Sequence, residues 1–363
     1  MAPRLEIDLD KIEHNARALV ERLKSRCIAV TGVTKAALGS PAIAGRLLSA
    51  GVSGLGDSRI ENIERMRQAG ISASMTLIRS PMLSQVDRVA KSADISFNSE
   101  IDVVISLSSA AHRLGRMHGV VLMVELGDLR EGIMPADLEH TVREILCLPN
   151  ITLCGIGTNL ACRSGVSPDH RNMSELSALA NSIEETFGLR LDIVSGGNSA
   201  NLNWALSDTS VERINDLRLG ESILLGREPL HRNPIAGLYT DAITLVAEVI
   251  ESKIKPAKPW GLIAQSAFGM KQTPAMQGDV FQSLLAIGEQ DTDPYGLVPP
   301  DDIQVLAASS DHLIVDSGWR QLPLGTELTF QLSYSALVRA MTSSFVSATE
   351  MSPKTEAVGP IPH

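Results

Sequence analysis

Up to about residue 226, eight short aliphatic runs alternate with amphipathic stretches, and this rhythm leaves few folds open. The runs fall at residues 28–34, 52–56, 75–78, 95–97, 120–126, 153–157, 191–195 and 217–220. Stretches with apolar residues at helical spacing lie between them, among them 41–50, 60–69, 100–114 and 169–187. Strands that alternate with helices build a parallel sheet, because each crossover helix returns the chain to the end where the last strand began. Eight of them predict a closed (β/α)8 TIM barrel, with an open doubly wound sheet as the alternative.

Ahead of this rhythm, Leu5, Ile7 and Leu9 alternate with Glu6 and Asp8, the pattern of a half-buried strand. Asp10 stands where a helix N-cap belongs, with Glu13 three residues on, and Ile12, Ala16, Leu19, Val20 and Leu23 form one apolar stripe. After Pro234 the pattern changes. Residues 242–250, 260–264, 303–307, 312–316 and 327–334 read as strands with turns and little helix between them. The organisation expected is a barrel over residues 1–234, a mainly β C-terminal domain over 235–351 and a disordered tail over 352–363. Residues 5–9 are free to pair with the second domain.

The 363 residues suffice for two cores, and a formal net charge of −10 argues against a nucleic-acid partner. No apolar run approaches the roughly 20 residues that span a bilayer. The N-terminus has no signal-like apolar segment, and Cys27, Cys147, Cys154 and Cys162 follow neither a disulfide framework nor metal spacing. A cytoplasmic protein with reduced thiols is expected. No two histidines have zinc spacing on a helix and no His-x-Cys pair occurs, so no metal site is expected.

In a TIM barrel the reactive groups sit at the C-terminal strand ends, and phosphate often binds after strands seven and eight. Strand one ends in Lys35, where partial desolvation would make the amine nucleophilic, although a solvated lysine is the plainer reading. Strand seven runs into Ser195-Gly196-Gly197-Asn198-Ser199, and strand eight ends Arg218-Leu219-Gly220-Glu221. Backbone amides at such turns can approach an anion, with the Ser199 hydroxyl beside them. Each glycine turn alone is weak evidence. A lysine after strand one combined with both turns is more specific. Strand five ends in the charged run from Glu125 through Asp128 and Arg130 to Gly132, and strand six ends in Thr158-Asn159.

At these residues the chain resembles the alanine racemase superfamily, pyridoxal-phosphate (PLP) fold type III, over nearly its whole length. Within it the chain is most similar to the ornithine and lysine racemase branch, on the runs Gly56-Asp57-Ser58-Arg59-Ile60-Glu61-Asn62, Glu125–Gly132, Gln265-Ser266-Ala267-Phe268-Gly269 and Ser309-Ser310-Asp311-His312. The resemblance implies a PLP-dependent racemase that removes and returns an amino acid's α-proton. Lys35 would carry the cofactor covalently, and Ser199, Gly220, the Glu221 amide and Tyr334 would hold its phosphate. Asn159 and Asn198 would line the cofactor site, and Arg130 would lie near the cofactor's phenolic oxygen or the substrate carboxylate. Arg218 would face the pyridine nitrogen, and a guanidinium cannot accept that ring's proton.

Three departures from the family pattern stand out. Gly39 occupies the place of a tyrosine, Asn159 that of a histidine, and Phe268 that of the tyrosine serving as second base. Because phenylalanine carries no proton, His312, with Asp311 and Ser310 beside it, becomes the candidate for the opposite face; a buried structural histidine is the alternative. The resemblance further implies a homodimer with shared active sites and a basic substrate, with Glu221, Asp128 or Asp311 available to a distal ammonium. Other classes with this barrel are a non-catalytic PLP-binding homeostasis protein and the metal-using D-amino-acid aldolases and dehydratases.

Overall fold

The computed structural model describes residues 2–266, 268 and 278–351. The chain divides into two compact units, one of residues 12–239 and one of residues 1–11 with 240–363. The tail read from 352 onward lies outside the described residues.

In the larger unit, β2 (Ala29–Val33), β3 (Gly54–Asp57), β4 (Met75–Leu77), β5 (Ile95–Asn98), β6 (His118–Met123), β7 (Ile151–Gly157), β8 (Ile193–Gly197) and β9 (Asp216–Leu219) close in sequence order. All pairs are parallel, and β2 pairs β9 with Thr31 opposite Arg218. This is the TIM barrel expected from the eight aliphatic runs. Phe97, Val121 and Met123 pack together, with Ile95, Cys154 and Ile193 against them. The crossover helices follow local chemistry. Ser40 accepts the Ile43 amide and Pro41 opens the helix Pro41–Ser49, while Asp169 and Asn172 form a capping box on His170–Phe187.

A buried titratable histidine lies where β5 and β6 pair. His118 is 1% exposed, and its Nε2 shares a 2.8 Å hydrogen bond with Ser96 Oγ. Burial, helped by the Arg116 charge, pulls its pKa down to about 4. The folded value thus lies below the unfolded one, so the neutral ring's contribution is complete above about pH 6.5 and is lost as pH falls toward the folded value. The span corresponds to about 3 kcal/mol. Urea unfolding at pH 7 and at pH 4.5 should show this acid loss shrinking in His118→Gln; an unchanged loss would remove His118 as its source.

In the smaller unit, β1 (Arg4–Asp8) pairs antiparallel with β10 (Ile243–Pro256) and parallel with β16 (Ser347–Met351). Besides its ladder with β1, β10 serves two more. Its first half pairs with β15 (Glu327–Leu332), and after a bulge between Val249 and Glu251 its second half pairs with β11 (Asp279–Leu285). Such a bulge bends a strand enough to carry it from one layer to another. β12 (Leu297–Val298), β13 (Gln304–Ala308) and β14 (Leu313–Asp316) complete the sheet.

Three local expectations are corrected. Asp8, not Asp10, caps the helix Leu9–Lys24, accepting the Asp10 and Lys11 amides at 3.1 and 3.0 Å, because the helix starts directly after the strand. Glu13 instead pairs with Arg17 and Arg46. Residues 260–264 form no strand: Trp260 is 91% exposed, and no ladder partner adjoins them among the described residues. The strand read over 327–334 ends at Leu332, where Ser333 accepts the Ala336 amide and opens the helix Tyr334–Thr342.

Candidate active site

The C-terminal strand ends of the barrel gather most of the residues singled out in the sequence. Lys35 begins a short 3-10 turn, Lys35–Ala37, directly after β2. Its neighbour Thr34 is fixed twice, by its amide on Gly56 O at 2.9 Å and by its hydroxyl on Asp57 Oδ2 at 2.7 Å. Asp57 is fully buried at the end of β3, and its other oxygen accepts Arg59 N and Asn62 Nδ2. Burial raises the Asp57 pKa despite these bonds. Beyond Lys35, Gly39 has φ +65, and a Cβ there would stand 2.7 Å from Asn62 Cβ, so this backbone leaves no room for a tyrosine. Lys35 itself is exposed, which corrects the expectation that the strand end would desolvate it. The cause is geometric: β2 ends at Val33, and the turn lifts Lys35 out of the packed strand.

Asp216 and Arg218 share one face of β9, two residues apart. Arg218 is 5% exposed and reaches across the barrel. It donates to Ser195 Oγ at 2.5 Å, to Thr158 O at 2.7 Å and to Asn159 Oδ1 at 3.3 Å, over the Phe97 ring at 5.0 Å. The Ser195 hydroxyl in turn donates a hydrogen bond to Asp216, which also accepts one from Thr31 Oγ1 at 2.7 Å. Burial lowers the Arg218 pKa, and the Asp216 charge opposes that.

Asn159 Oδ1 also accepts Asn198 Nδ2 at 3.1 Å, while Asn159 Nδ2 is buried with no hydrogen-bond partner. A buried unsatisfied donor costs about 1–3 kcal/mol, so an acceptor atom of a bound group is its natural complement. Asn198 caps the turn Ser199–Asn201. Ser199 Oγ accepts the Ser222 amide at 3.2 Å and shares a 3.0 Å bond with the Ser222 hydroxyl, which ties the turns after β8 and β9 together. A Cβ on Gly220 would lie 3.1 Å from both Val33 Cβ and Val33 O, so any larger residue would press this turn away from the end of β2 by a few tenths of an ångström. Glu221 follows, mostly buried and paired with Arg232, and burial pushes its pKa up.

The loop after β6 is built around two carboxylates. Glu125 accepts the amides of Gly127, Leu129 and Arg130. Asp128 is fully buried and accepts the Arg163 and Ser164 amides from the loop after β7. Asp128 therefore braces the loops and is not available to a substrate ammonium. Arg130 pairs with its neighbour Glu131 at the rim, and the thiol of Cys162 is exposed.

His312, Asp311 and Tyr334 belong to the smaller unit. His312 sits in the turn between β13 and β14, partly exposed, with Nδ1 on Asp311 Oδ1 at 3.0 Å. It is thus neither buried nor inside a strand. Tyr334 is the first residue of its helix, and Phe268 is 49% exposed, while Ala267 and Gly269 lie outside the described residues. Sequence reasoning gave Asp57 and Ser222 no role and passed over Arg232. A carboxylate closing the strand β3 was the signal for the first.

The described residues contain no grouping of three His, Cys, Asp or Glu side chains suited to a metal ion, and no helix long and apolar enough to cross a membrane. Residues 7–228 match the family model of the alanine racemase N-terminal domain. An ornithine racemase of Acetoanaerobium sticklandii is 39% identical over 95% of this chain and 99% of its own. A lysine racemase of Thermotoga maritima is 39% identical over 95% of this chain and 97% of its own. Among solved structures, alanine racemase from Streptomyces lavendulae superposes with a TM-score of 0.75 at 19% identity, over 97% of this chain and 98% of that one. D-threonine aldolase from Filomicrobium marinum shares the fold with a TM-score of 0.73 at 18% identity, over 94% and 88%. With its barrel matched throughout and two racemases alike over nearly their full lengths, the chain belongs to the alanine racemase family.

Proposed function

We propose that this chain is a PLP-dependent amino-acid racemase acting on a basic substrate, ornithine or lysine, as a homodimer with shared active sites. The observation that carries the reading is one barrel end bearing both Lys35 and the joined Ser199–Gly220 turns. The names of the two 39% identical relatives favour a basic substrate over alanine.

The residues present fit this cofactor. Lys35 would supply the amine, and the Ser199 hydroxyl with the backbone at Gly220 and Glu221 would form a cradle for the cofactor's phosphate. The unpaired Asn159 Nδ2 offers a donor to the group, and Asn198 holds Asn159 in place. PLP, when bound, supplies the electron sink that acidifies the α-proton of an attached amino acid. Arg218 presents only donors, so facing the pyridine nitrogen it could not accept a ring proton and would leave that nitrogen unprotonated. That limits charge delocalisation and favours return of the proton over side reactions. Arg130 at the rim is suited to a substrate carboxylate.

Racemisation needs one base on each face of the α-carbon. Lys35 serves one face. His312 serves the other, with Asp311 accepting from Nδ1 so that Nε2 carries the exchanged proton. Chiral chromatography of ornithine, lysine and alanine tests the whole reading; no interconversion of any of them by PLP-loaded protein would refute it. His312→Asn should lower racemisation by about 10²–10⁴-fold in both directions, and full activity in that variant would exclude His312. If the sites are shared, mixing Lys35→Ala with His312→Asn protomers should restore about a quarter of wild-type activity through hybrid dimers. No restoration would place both bases on one protomer.

A further inference from the structure

A carboxylate is an odd neighbour for a phosphate cradle, yet Glu221 stands directly after Gly220, with a side chain only 14% exposed. The positive charges acting on it are Arg232 first and then Lys35, while Glu228 adds a second negative charge nearby. Arg232 reaches Glu221 from a loop built to present it. Glu228, itself buried, accepts the amides of Leu230 at 2.7 Å and of His231 and Asn233 at 3.0 Å. The Arg232 amide returns to Glu228 O at 3.0 Å, and Arg227 donates to Arg232 O at 3.2 Å. Arg232 holds φ +64, a left-handed conformation that a non-glycine residue adopts only at a cost. An incidental surface ion pair would not require such a brace.

The geometry points to Arg232 as a cofactor-positioning residue: by neutralising Glu221, it keeps the cradle of Ser199, Gly220 and the Glu221 amide able to accept a phosphate dianion. This rests on the proposed reading of that cradle. Glu228 contributes by holding the loop, its own charge being spent on backbone amides. Without Arg232, the mostly buried Glu221 carboxylate would oppose a phosphate held at its own amide.

The test compares two probes on protein freed of cofactor, PLP and its phosphate-free analogue pyridoxal, each titrated by the visible absorbance of the imine. Arg232→Ala should weaken PLP binding by about tenfold, more at low salt, and leave pyridoxal binding unchanged. Glu221→Gln should bind PLP at least as well as wild type, and the double variant should recover wild-type affinity. Arg232→Lys, which keeps the charge, should recover most of it and guards against a collapsed loop in the alanine variant. Equal losses for both probes, no loss in Arg232→Ala, or no recovery in the double variant would each overturn the role of Arg232 while leaving the cofactor assignment standing. Failure of wild type to bind either probe would overturn the cofactor assignment and this inference together.

Discussion

Replacing Lys35 by alanine is expected to abolish racemisation, with a fall of at least about 10⁴-fold, because both covalent attachment of the cofactor and one of two proton-transfer groups are lost together. The protein should otherwise stay intact. Lys35 is exposed on its turn, which Thr34, Asp57 and Asn62 brace through hydrogen bonds. Stability should change by no more than about 0.5 kcal/mol, as for other exposed positions. Activity and urea unfolding measured on the same preparation separate the two effects. Substantial racemisation by the variant would show that the reacting amine lies elsewhere.

Arg218→Ala is expected to behave in the opposite way, damaging the fold as well as the chemistry. Its guanidinium is buried, spans Ser195, Thr158 and Asn159, and balances Asp216 through Ser195. Removing one member of such a buried charge network leaves acceptors and a carboxylate uncompensated, at a cost of about 3–5 kcal/mol. Arg218→Lys should recover only part of this, because an ammonium cannot reproduce the planar fork or its stacking on Phe97. Denaturant unfolding of the cofactor-free variants gives the answer. A loss below about 1 kcal/mol in the alanine variant would mean that Arg218 does not hold the β7, β8 and β9 ends together.

The barrel was legible because its strands are short, mostly buried runs, and the crossover helices between them carry apolar stripes, two of them with side-chain caps. Lys35, Ser199, Arg218 and Gly220 were legible for the same reason, since fold and strand order put them at one end. What escaped depended on contacts distant in sequence. Thr34 meets Asp57, Ser199 meets Ser222, and Asp128 meets the loop at Arg163, and no local pattern announces these pairings. Asp128 therefore read as a free acid when it is a buried brace. The β unit was harder still. Residues 260–264 alternate like a strand but have no ladder to join, and Tyr334 follows a strand pattern that Ser333 ends by capping a helix. The shift from Asp10 to Asp8 as helix cap is a smaller case, in which the strand and helix share no intervening loop.

The central claim, that Lys35 carries PLP at the barrel end, is tested most directly by reducing the PLP-loaded protein with borohydride and mapping the modified peptide by mass. The expected result is a visible imine band that disappears on reduction, with one pyridoxyl adduct, on Lys35. An adduct on another lysine, or no imine band after addition of PLP, would contradict the assignment and the racemase mechanism built on it.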